Sequence, residues 1–445
     1  MDLVQELVRK YFSQENGELC MGKLPVSDIV QKFGTPAFIY DQGILEAKLN
    51  SLRIALPDPF QISYSVKANP AQELLKFFIS HDCGLEIASG GELEQALAAG
   101  CPPDRTIFAG PGKTPAELEL ALQCGIKEVH VESILEIERI HDLCRQRSWR
   151  ADIAVRVNPS AEAQGGAMRM GGKPAPFGID EECIEPVVAE ILKDPYLTFR
   201  GIHLFTGTQI LDHQVLITQY RKAIEIARRI AHNFGCPIRT VDFGGGLGIP
   251  YFPGDKALDL AGLRSELDRL ISETQDDPTF SGTEFMIEPG RFLVGECGVY
   301  ITRIIDIKVS RGKKFLIVDG GMNHHLAASG NLGQTIKRNY PVALLNKLSA
   351  PAAESADVVG PLCTPLDVLA RNVNLPQAEV GDLFGVFQSG AYARSASPLA
   401  FLSHRTPPEI LVSGENAGVI RSRGETSQYL QDQRCVEAEP VRPQD

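Results

Sequence analysis

The amino-acid sequence predicts an α/β fold in which a (β/α)8 TIM barrel is joined to a second, mostly antiparallel β domain. Eight short apolar strand patterns alternate with helical patterns, which is typical of a closed parallel barrel. After about residue 290 the apolar residues alternate with period two and helical stretches become few, which indicates antiparallel strands. An open doubly wound sheet is the alternative. The predicted barrel strands are 61–66, 84–88, 106–109, 127–131, 152–157, 200–206, 239–243 and 284–288.

The glycine loop after the seventh predicted strand helps to choose between the barrel and the open doubly wound sheet. Residues 244–246 are three consecutive glycines, but Pro250 and Tyr251 follow them instead of a helix. A dinucleotide-binding turn of a doubly wound sheet opens a helix at this point. The loop therefore disfavours a dinucleotide fold and is compatible with the barrel.

Chain length and the change of pattern set the predicted domain limits. A chain of 445 residues exceeds what one hydrophobic core usually holds, so two domains are expected. We predict a barrel domain over residues 38–288 and a discontinuous β domain formed by residues 22–37 and 289–431. Residues 1–21 are predicted to form an N-terminal helical extension, and the polar residues 432–445 a loose tail.

Two of the predicted helices carry clear signals. Apolar residues from Leu3 to Phe12 recur at helical spacing, and we expect this face to pack on the protein itself rather than on a partner. Thr114 and Glu117 form a capping box with Pro115 at the first helical position, and Gly125 follows the last turn.

Composition excludes several classes of protein. The hydrophobic share of 43% and the charged share of 22% are ordinary for a soluble globular protein. The net charge of −12 argues against broad binding of nucleic acid or of an anionic membrane. No apolar run reaches the length of a membrane span. The ten cysteines are scattered without metal-ligand spacing, which favours reduced thiols in a cytoplasmic protein.

Residues with reactive side chains lie where the predicted barrel strands end, and in a barrel these ends share one cavity. Lys67 ends the first strand, where burial would favour the neutral amine that can condense with an aldehyde. Glu86 lies at the end of the second strand and His203 and Phe205 on the sixth, and Glu288 ends the eighth.

The glycine loop completes a recognisable set of groups. Gly244, Gly245 and Gly246 expose backbone N–H groups that suit a phosphate, although a flexible turn would have the same sequence. A lysine, a phosphate cradle and a buried carboxylate together fit pyridoxal 5′-phosphate (PLP). Glu288 would pair with the pyridine nitrogen and make the ring an electron sink. A structural salt bridge is the alternative for Glu288.

Seven short motifs extend over most of the chain: Tyr64-Ser65-Val66-Lys67-Ala68-Asn69, Ser89-Gly90-Gly91-Glu92-Leu93, Arg156-Val157-Asn158-Pro159, Gly244-Gly245-Gly246, Glu288-Pro289-Gly290-Arg291, Gly360-Pro361-Leu362-Cys363 and Ser389-Gly390-Ala391-Tyr392. Their combination resembles the fold-type III PLP-dependent decarboxylases, the diaminopimelate/ornithine decarboxylase group. That group combines a barrel with a β domain, as alanine racemases do. The resemblance covers about residues 30 to 430.

This resemblance implies roles for individual residues. Lys67 would hold the cofactor covalently, and the glycine loop would bind its phosphate. Glu288 would face the pyridine nitrogen, with Gly290 and Arg291 beside it. Tyr392 would contact the phosphate. Cys363 would donate a proton in the active site of a second subunit, so the resemblance implies a homodimer with shared active sites.

The chain departs from the group at the sixth strand. Relatives usually carry a His that stacks on the pyridine ring, and Phe205 stands at that position. An aromatic ring can still stack there. His203 precedes it by two residues and is expected to face the same cavity. Thr208 takes the position of a Ser and would donate to the phosphate.

A second departure concerns the substrate. Thr364 follows Cys363, where diaminopimelate decarboxylases carry Glu and ornithine decarboxylases carry Asp to bind a distal amine. A substrate with a free distal ammonium is therefore disfavoured. Arg291 and Arg338 are the candidates for binding a carboxylate, with Tyr340, Thr364 and Tyr392 as further substrate contacts.

These features resemble one branch of the group, namely the decarboxylases associated with exosortase gene clusters and the butirosin-pathway enzyme that acts on a carrier-bound glutamyl group. The branch implies a carrier-tethered glutamyl substrate and an acyl-carrier protein as a possible partner. The alternatives are a meso-diaminopimelate decarboxylase of lysine biosynthesis and, in another class, a non-catalytic regulatory homologue. Racemases pair the pyridine nitrogen with Arg, so Glu288 disfavours that activity. No metal is predicted, because the adjacent His324 and His325 would point to opposite sides of a strand.

Overall fold

The computed structural model describes residues 3–58, 60–160, 168–169, 174–334 and 336–434. The structure contains a closed barrel of parallel strands and a second sheet whose pairings are mostly antiparallel. The predicted fold class is confirmed, and the open doubly wound sheet is wrong.

The barrel closes because its last strand pairs with its first. Each strand is parallel to the next one, including the fourth and the fifth. The eighth strand, Glu284–Ile287, pairs in turn with the first, Phe60–Ser65. Helices cover the outer face, so most residues of the strands are buried, including several polar ones such as Glu86 and His130. All eight predicted strands are present; they are Phe60–Ser65, Gly84–Ile87, Thr106–Phe108, Glu128–Val131, Ala151–Asn158, Leu197–His203, Thr240–Asp242 and Glu284–Ile287.

A helix follows each of the first seven barrel strands. The helix before the first strand, Gln42–Ala55, packs against the helix after the seventh and completes the outer ring. Thr114 and Glu117 form the predicted capping box, and Gly125 ends that helix with φ = 73°. The ring consists of Gln42–Ala55, Gln72–Ser80, Gly90–Ala98, Pro115–Cys124, Ile134–Arg147, Ile184–Lys193, His213–Phe234 and Leu260–Gln275.

The second sheet is built around the long strand Gly298–Ser310, which pairs with three other strands along its length. Two pairs in this sheet are parallel and the remaining pairs are antiparallel. The short helix Arg291–Val294 connects it to the barrel. Its other strands are Ala37–Asp41, Lys313–Val318, Val342–Leu344, Glu354–Val359, Val368–Leu375, Leu383–Val386, Glu409–Ser413 and Asn416–Arg421.

One predicted domain limit needs correction. Residues 38–41 were assigned to the barrel, but the strand Ala37–Asp41 pairs with Gly298–Ser310 and with Glu409–Ser413 in the second sheet. All five of its residues are buried, because it is an inner strand of that sheet. The other limits remain a prediction.

The N-terminal segment is helical only in its first part. The helix Leu3–Tyr11 is followed by the short strands Ser13–Glu15, Glu18–Met21 and Leu24–Pro25, which form a small antiparallel sheet, and then by the helix Val26–Phe33. The apolar face of the first helix packs on the second sheet, as expected for a helix that binds its own protein. The predicted tail beyond residue 434 lies outside the described residues.

Two further short strand pairings lie outside the main sequence of barrel strands. Met168–Arg169 pairs with Gly207–Thr208, and Ile179–Asp180 pairs with the fifth barrel strand.

The nine cysteines within the described ranges are free thiols. None of the helices that the structure describes is long and apolar enough to cross a membrane.

A buried ion pair links the barrel ring to the second domain. Lys48 Nζ lies 2.5 Å from Glu296 Oε2, and the Tyr11 hydroxyl donates to the same oxygen at 2.9 Å. The side chains of Lys48 and Glu296 are 9% and 2% exposed. Removing one charge of such a pair leaves the other buried without compensation.

We therefore predict that Glu296→Ala lowers the free energy of unfolding by about 3–5 kcal/mol, measured by urea denaturation. The matched control is Glu415→Ala, which removes an ion pair with Lys23 in which both side chains are 71% exposed. The control is expected to cost less than about 1 kcal/mol, and equal losses in the two variants would contradict the prediction.

Candidate active site

Lys67 and Glu86 form an ion pair at the carboxyl ends of the first two barrel strands. Lys67 lies in a 3-10 turn, Val66–Ala68, directly after the first strand. Its Nζ donates to both carboxylate oxygens of Glu86 at 3.0 Å, and Glu86 also accepts from Ser65 Oγ at 2.5 Å. Parallel pairing of the two strands fixes this contact, because Ser65 and Glu86 are neighbours in the register.

The charge state of Lys67 differs from the sequence expectation. Burial lowers the pKa of its amine, but the negative charge of Glu86, the Tyr392 side chain and Glu288 outweigh burial, so the pKa is raised. The prediction of a neutral amine is therefore wrong for this arrangement, and Lys67 is an ammonium. Although it lies deep in the fold, 42% of its side chain is accessible because it lines a cavity.

Two adjoining cavities open where the barrel strands end. The larger has a volume of about 600 Å³, and the smaller lies against the glycine loop and Glu288. Predicted residues that line the larger cavity are Lys67, Phe205, Thr208, Arg291, Arg338, Tyr340 and Tyr392. Predicted residues that line the smaller one are Lys67, Phe205, Thr208, Gly245, Gly246, Glu288, Gly290, Arg291 and Tyr392.

The loop after the seventh strand requires its glycines. Gly244 and Gly246 have φ = 67° and 100°, a conformation that side chains disfavour. A Cβ on Gly245 would lie 2.5 Å from the backbone oxygen of Glu288, and one on Gly244 would lie 2.8 Å from Phe205. The loop therefore approaches the cavity with bare backbone, as a phosphate cradle requires.

Glu288 is a buried carboxylate beside two histidines. Its Oε2 lies 3.5 Å from His203 Nε2, and its Oε1 has no hydrogen-bond partner. Burial raises the pKa of Glu288, but His203, His130 and Lys67 outweigh burial and lower it. Burial lowers the pKa of His203 in turn. Glu288 is thus ionised, with one oxygen left to accept a hydrogen bond.

Aromatic rings hold the two arginines of the site. Arg291 Nη1 donates to the Tyr251 hydroxyl at 3.1 Å, and its guanidinium lies 4.8 Å from the centre of the Tyr392 ring. The guanidinium of Arg338 lies 3.6 Å from the centre of the Phe252 ring, and Tyr340 packs on Tyr251 with a centroid distance of 4.8 Å. Both arginines keep donor groups at the cavity.

Five predicted site residues line neither cavity, namely Glu86, His203, Gly244, Cys363 and Thr364. Cys363 is exposed on a loop of the second domain, and neither it nor Thr364 lines the two cavities. Glu86 contacts Lys67 rather than the cavity itself. His324 and His325 have separate partners, Tyr300 and Ser389, at 3.1 and 3.0 Å.

Sequence reasoning missed part of the site. His130, on the fourth barrel strand, lies 3.9 Å from Glu288, and Asp242 on the seventh strand lies 4.0 Å from the same histidine. Polar residues at Glu128 and His130 alternate on a strand whose other residues are apolar, which was the available signal. Several residues that line the larger cavity were also not predicted as site residues; they are Gln209, Tyr251, Phe252, Ala327, Leu332, Gly333, Gln334 and Ile336.

The residues present fit PLP. An accessible lysine, a glycine cradle and a buried carboxylate with an unpartnered oxygen meet the needs of its aldehyde, phosphate and pyridinium nitrogen. The family model described as pyridoxal-dependent decarboxylase, pyridoxal binding domain, matches residues 42–295. The chain belongs to this family of PLP-dependent decarboxylases.

Similar proteins narrow the class further. The chain is 36% identical to the L-glutamyl-[BtrI acyl-carrier protein] decarboxylase of Niallia circulans, over 93% of this chain and 97% of that protein. It is 30% identical to a diaminopimelate decarboxylase of Zymomonas mobilis, over 96% and 99%. The solved diaminopimelate decarboxylase of Helicobacter pylori with L-lysine has a TM-score of 0.81 and 28% identity, over 91% and 98% of the two chains.

Replacing Lys67 with Ala should abolish the visible absorbance that PLP gives when it is bound to a lysine. Borohydride treatment followed by peptide mass spectrometry should trap the cofactor on Lys67 in the wild-type protein. Lys76→Ala, which changes an exposed lysine on a surface helix, should leave both signals intact. A cofactor trapped on another lysine would contradict this prediction.

The glycine loop yields a separate prediction. Gly245→Ala should weaken PLP binding roughly tenfold or more, about 1.4 kcal/mol, because the new Cβ would collide with the Glu288 backbone. Titration of the apoprotein with PLP measures this. Gly112→Ala is the control, since a Cβ there meets nothing within 4 Å, and an equal effect of both changes would refute the steric argument.

Proposed function

We propose that the protein decarboxylates the α-carbon of an L-amino acid whose distal end carries no free ammonium. The substrate class best supported is a glutamyl group tethered through its γ-carboxyl to an acyl-carrier protein. Such a group has its α-amine and α-carboxylate free but has no distal charge.

The observation that carries this proposal is the charge of the larger cavity. None of the described residues that line it is acidic, whereas Lys67, Arg291 and Arg338 are basic. A distal ammonium would lose its hydration there without gaining a carboxylate partner, which is unfavourable. A carboxylate or a neutral carbonyl would instead find guanidinium donors.

The loop that carries Cys363 gives independent support. Thr364 follows the cysteine, and the nearest acid in the chain, Asp367, is 2% exposed. The carboxylate of Asp367 accepts from the backbone N–H groups of Met322 and Leu362 at 2.6 and 2.9 Å. Asp367 is therefore occupied in holding the loop and is not free to bind a substrate amine. The substrate named for the Niallia circulans relative agrees with this assignment.

The proposed roles follow from the geometry. Lys67 would hold the cofactor, the glycine loop its phosphate, and Glu288 the proton of its pyridine nitrogen. When bound, PLP supplies an electron sink for the pair left on Cα as carbon dioxide departs. Arg291 and Arg338 would orient carboxylate or carbonyl oxygens of the substrate. Tyr392 and Tyr340 would exclude water from the cavity.

Cys363 would complete the site from a second protomer. It is exposed and lines neither cavity of its own chain, so a proton donated to Cα would come from Cys363 of the partner subunit. This assignment makes a homodimer with shared active sites part of the proposal.

A substrate panel tests the specificity. Purified protein with PLP would be incubated with a glutamyl-carrier thioester, free glutamate, meso-diaminopimelate, ornithine and lysine, and the amine products identified by mass spectrometry. Turnover of the carrier thioester is expected to exceed that of every free diamine. Rapid turnover of free diaminopimelate without turnover of the thioester would overturn the proposal in favour of lysine biosynthesis.

Mixing inactive variants tests the shared site. Lys67→Ala and Cys363→Ala should each be inactive alone, but random reassociation should restore about one quarter of wild-type activity, because half of the dimers then contain one intact site. The control is Cys363→Ala taken alone through the same dissociation and reassociation, which should remain inactive. Failure of the mixed sample to gain activity, with dimer exchange shown by mass spectrometry, would place both residues in one protomer.

A further inference from the structure

A buried histidine stands behind the carboxylate that is proposed to meet the cofactor ring. His130 lies on the fourth barrel strand and is 0% exposed. It lines neither cavity, so it is not a direct substrate contact. None of the roles considered so far uses it.

Each ring nitrogen of His130 faces a carboxylate. Nε2 lies 3.1 Å from Glu128 Oε1, and the other oxygen of Glu128 accepts from Thr240 Oγ1 at 3.0 Å. Nδ1 lies 3.9 Å from Glu288 Oε1. A neutral imidazole has only one N–H, so it could donate to one of these carboxylates and would present a lone pair to the other.

The two oxygens of Glu288 are thereby divided between two histidines. His203 Nε2 faces Oε2 at 3.5 Å, and His130 faces Oε1. The two imidazole rings also contact each other, with a centroid distance of 4.6 Å. Among the described residues, neither His130 Nδ1 nor Glu288 Oε1 has a partner with hydrogen-bond geometry.

Other charged groups nearby are neutral or already paired. Asp242, 4.0 Å from His130 Nε2, has its pKa raised well above the ordinary value by burial and by Glu288, so it is protonated. Arg200 Nε lies 4.0 Å from Glu128 Oε2, whereas His130 contacts Oε1 of the same carboxylate. Lys113, which donates to the His130 carbonyl, pairs with Glu136.

The fifth strand adds one more cation near this cluster. Arg156 pairs with Glu132 at 2.6 Å and is therefore compensated there. From the fourth strand, His130 faces Glu288 with Nδ1 3.9 Å from Oε1.

We propose that His130 is a positioning residue that, held by Glu128, fixes the orientation of the Glu288 carboxylate toward the pyridine nitrogen of the cofactor. His130 acts through Glu288 and touches neither substrate nor cofactor. This inference rests on the family's cofactor and not on the proposed carrier substrate, so the two stand or fall separately.

The test follows cofactor binding and needs no substrate. Apoprotein of His130→Asn would be titrated with PLP, and the visible absorbance of the reconstituted protein followed from neutral to acid pH. Without His130 the pKa of Glu288 is expected to rise, because His130 is among the groups that lower it against the effect of burial. We expect about tenfold weaker PLP binding and an acid-side absorbance transition at higher pH than in the wild type.

Two further variants separate positioning from folding. Glu128→Gln keeps an acceptor for His130 Nε2 but removes the negative charge beside the ring, and it should shift the transition in the same direction by a smaller amount. His232→Asn, on the exposed side of a surface helix, should change neither readout. If His130→Asn fails to fold, Glu128→Gln alone decides the matter, and an unshifted transition there overturns the proposal.

Two other results would also overturn it. One is a folded His130→Asn protein with wild-type PLP affinity and an unmoved transition. The other is stoichiometric zinc retained after PLP is added. His130, His203 and Glu288 each offer an atom within 4.8 Å of the others, and zinc bound there would make them metal ligands.

Discussion

Closure of the barrel is the constraint on which the site depends. The pairing of Glu284–Ile287 with Phe60–Ser65 brings together the two ends of a segment of more than two hundred residues. Lys67 and Glu288 each follow one of these paired strands, so the same hydrogen bonds that close the sheet set the distance between them. An open sheet would leave these two strands at separate edges, and the lysine and the carboxylate would not share a cavity.

Charge compensation accounts for the polar groups inside this apolar frame. Lys67 is held by Glu86, and Glu288 by His203 and His130, whereas Asp242 avoids a further charge by staying protonated. Buried charges are tolerated when each has a partner of opposite sign. One oxygen of Glu288 lacks a hydrogen bond and one face of Lys67 is accessible, and both lie where the cofactor of this family would contribute groups.

Specificity depends on a different part of the chain. The cavity takes its basic and aromatic lining from barrel loops and from the second domain, including Arg338, which stacks on Phe252. The one acid on the Cys363 loop, Asp367, is used to hold backbone N–H groups. The described lining of the larger cavity therefore contains no carboxylate, in an architecture shared with diaminopimelate decarboxylases.

The sequence by itself determined the eight strands, the helix capped by Thr114 and the period-two pattern of the second domain, because periodicity and turn chemistry are local properties. It also placed Lys67 and Glu288 at the ends of predicted strands. It failed where long-range pairing decides. Ala37–Asp41 joined the second sheet, since strand partners are chosen by the whole sheet. Lys67 became an ammonium and His130 joined the site because neighbouring strands bring carboxylates to them. Tertiary structure alone sets such distances, and with them the charge of each buried group.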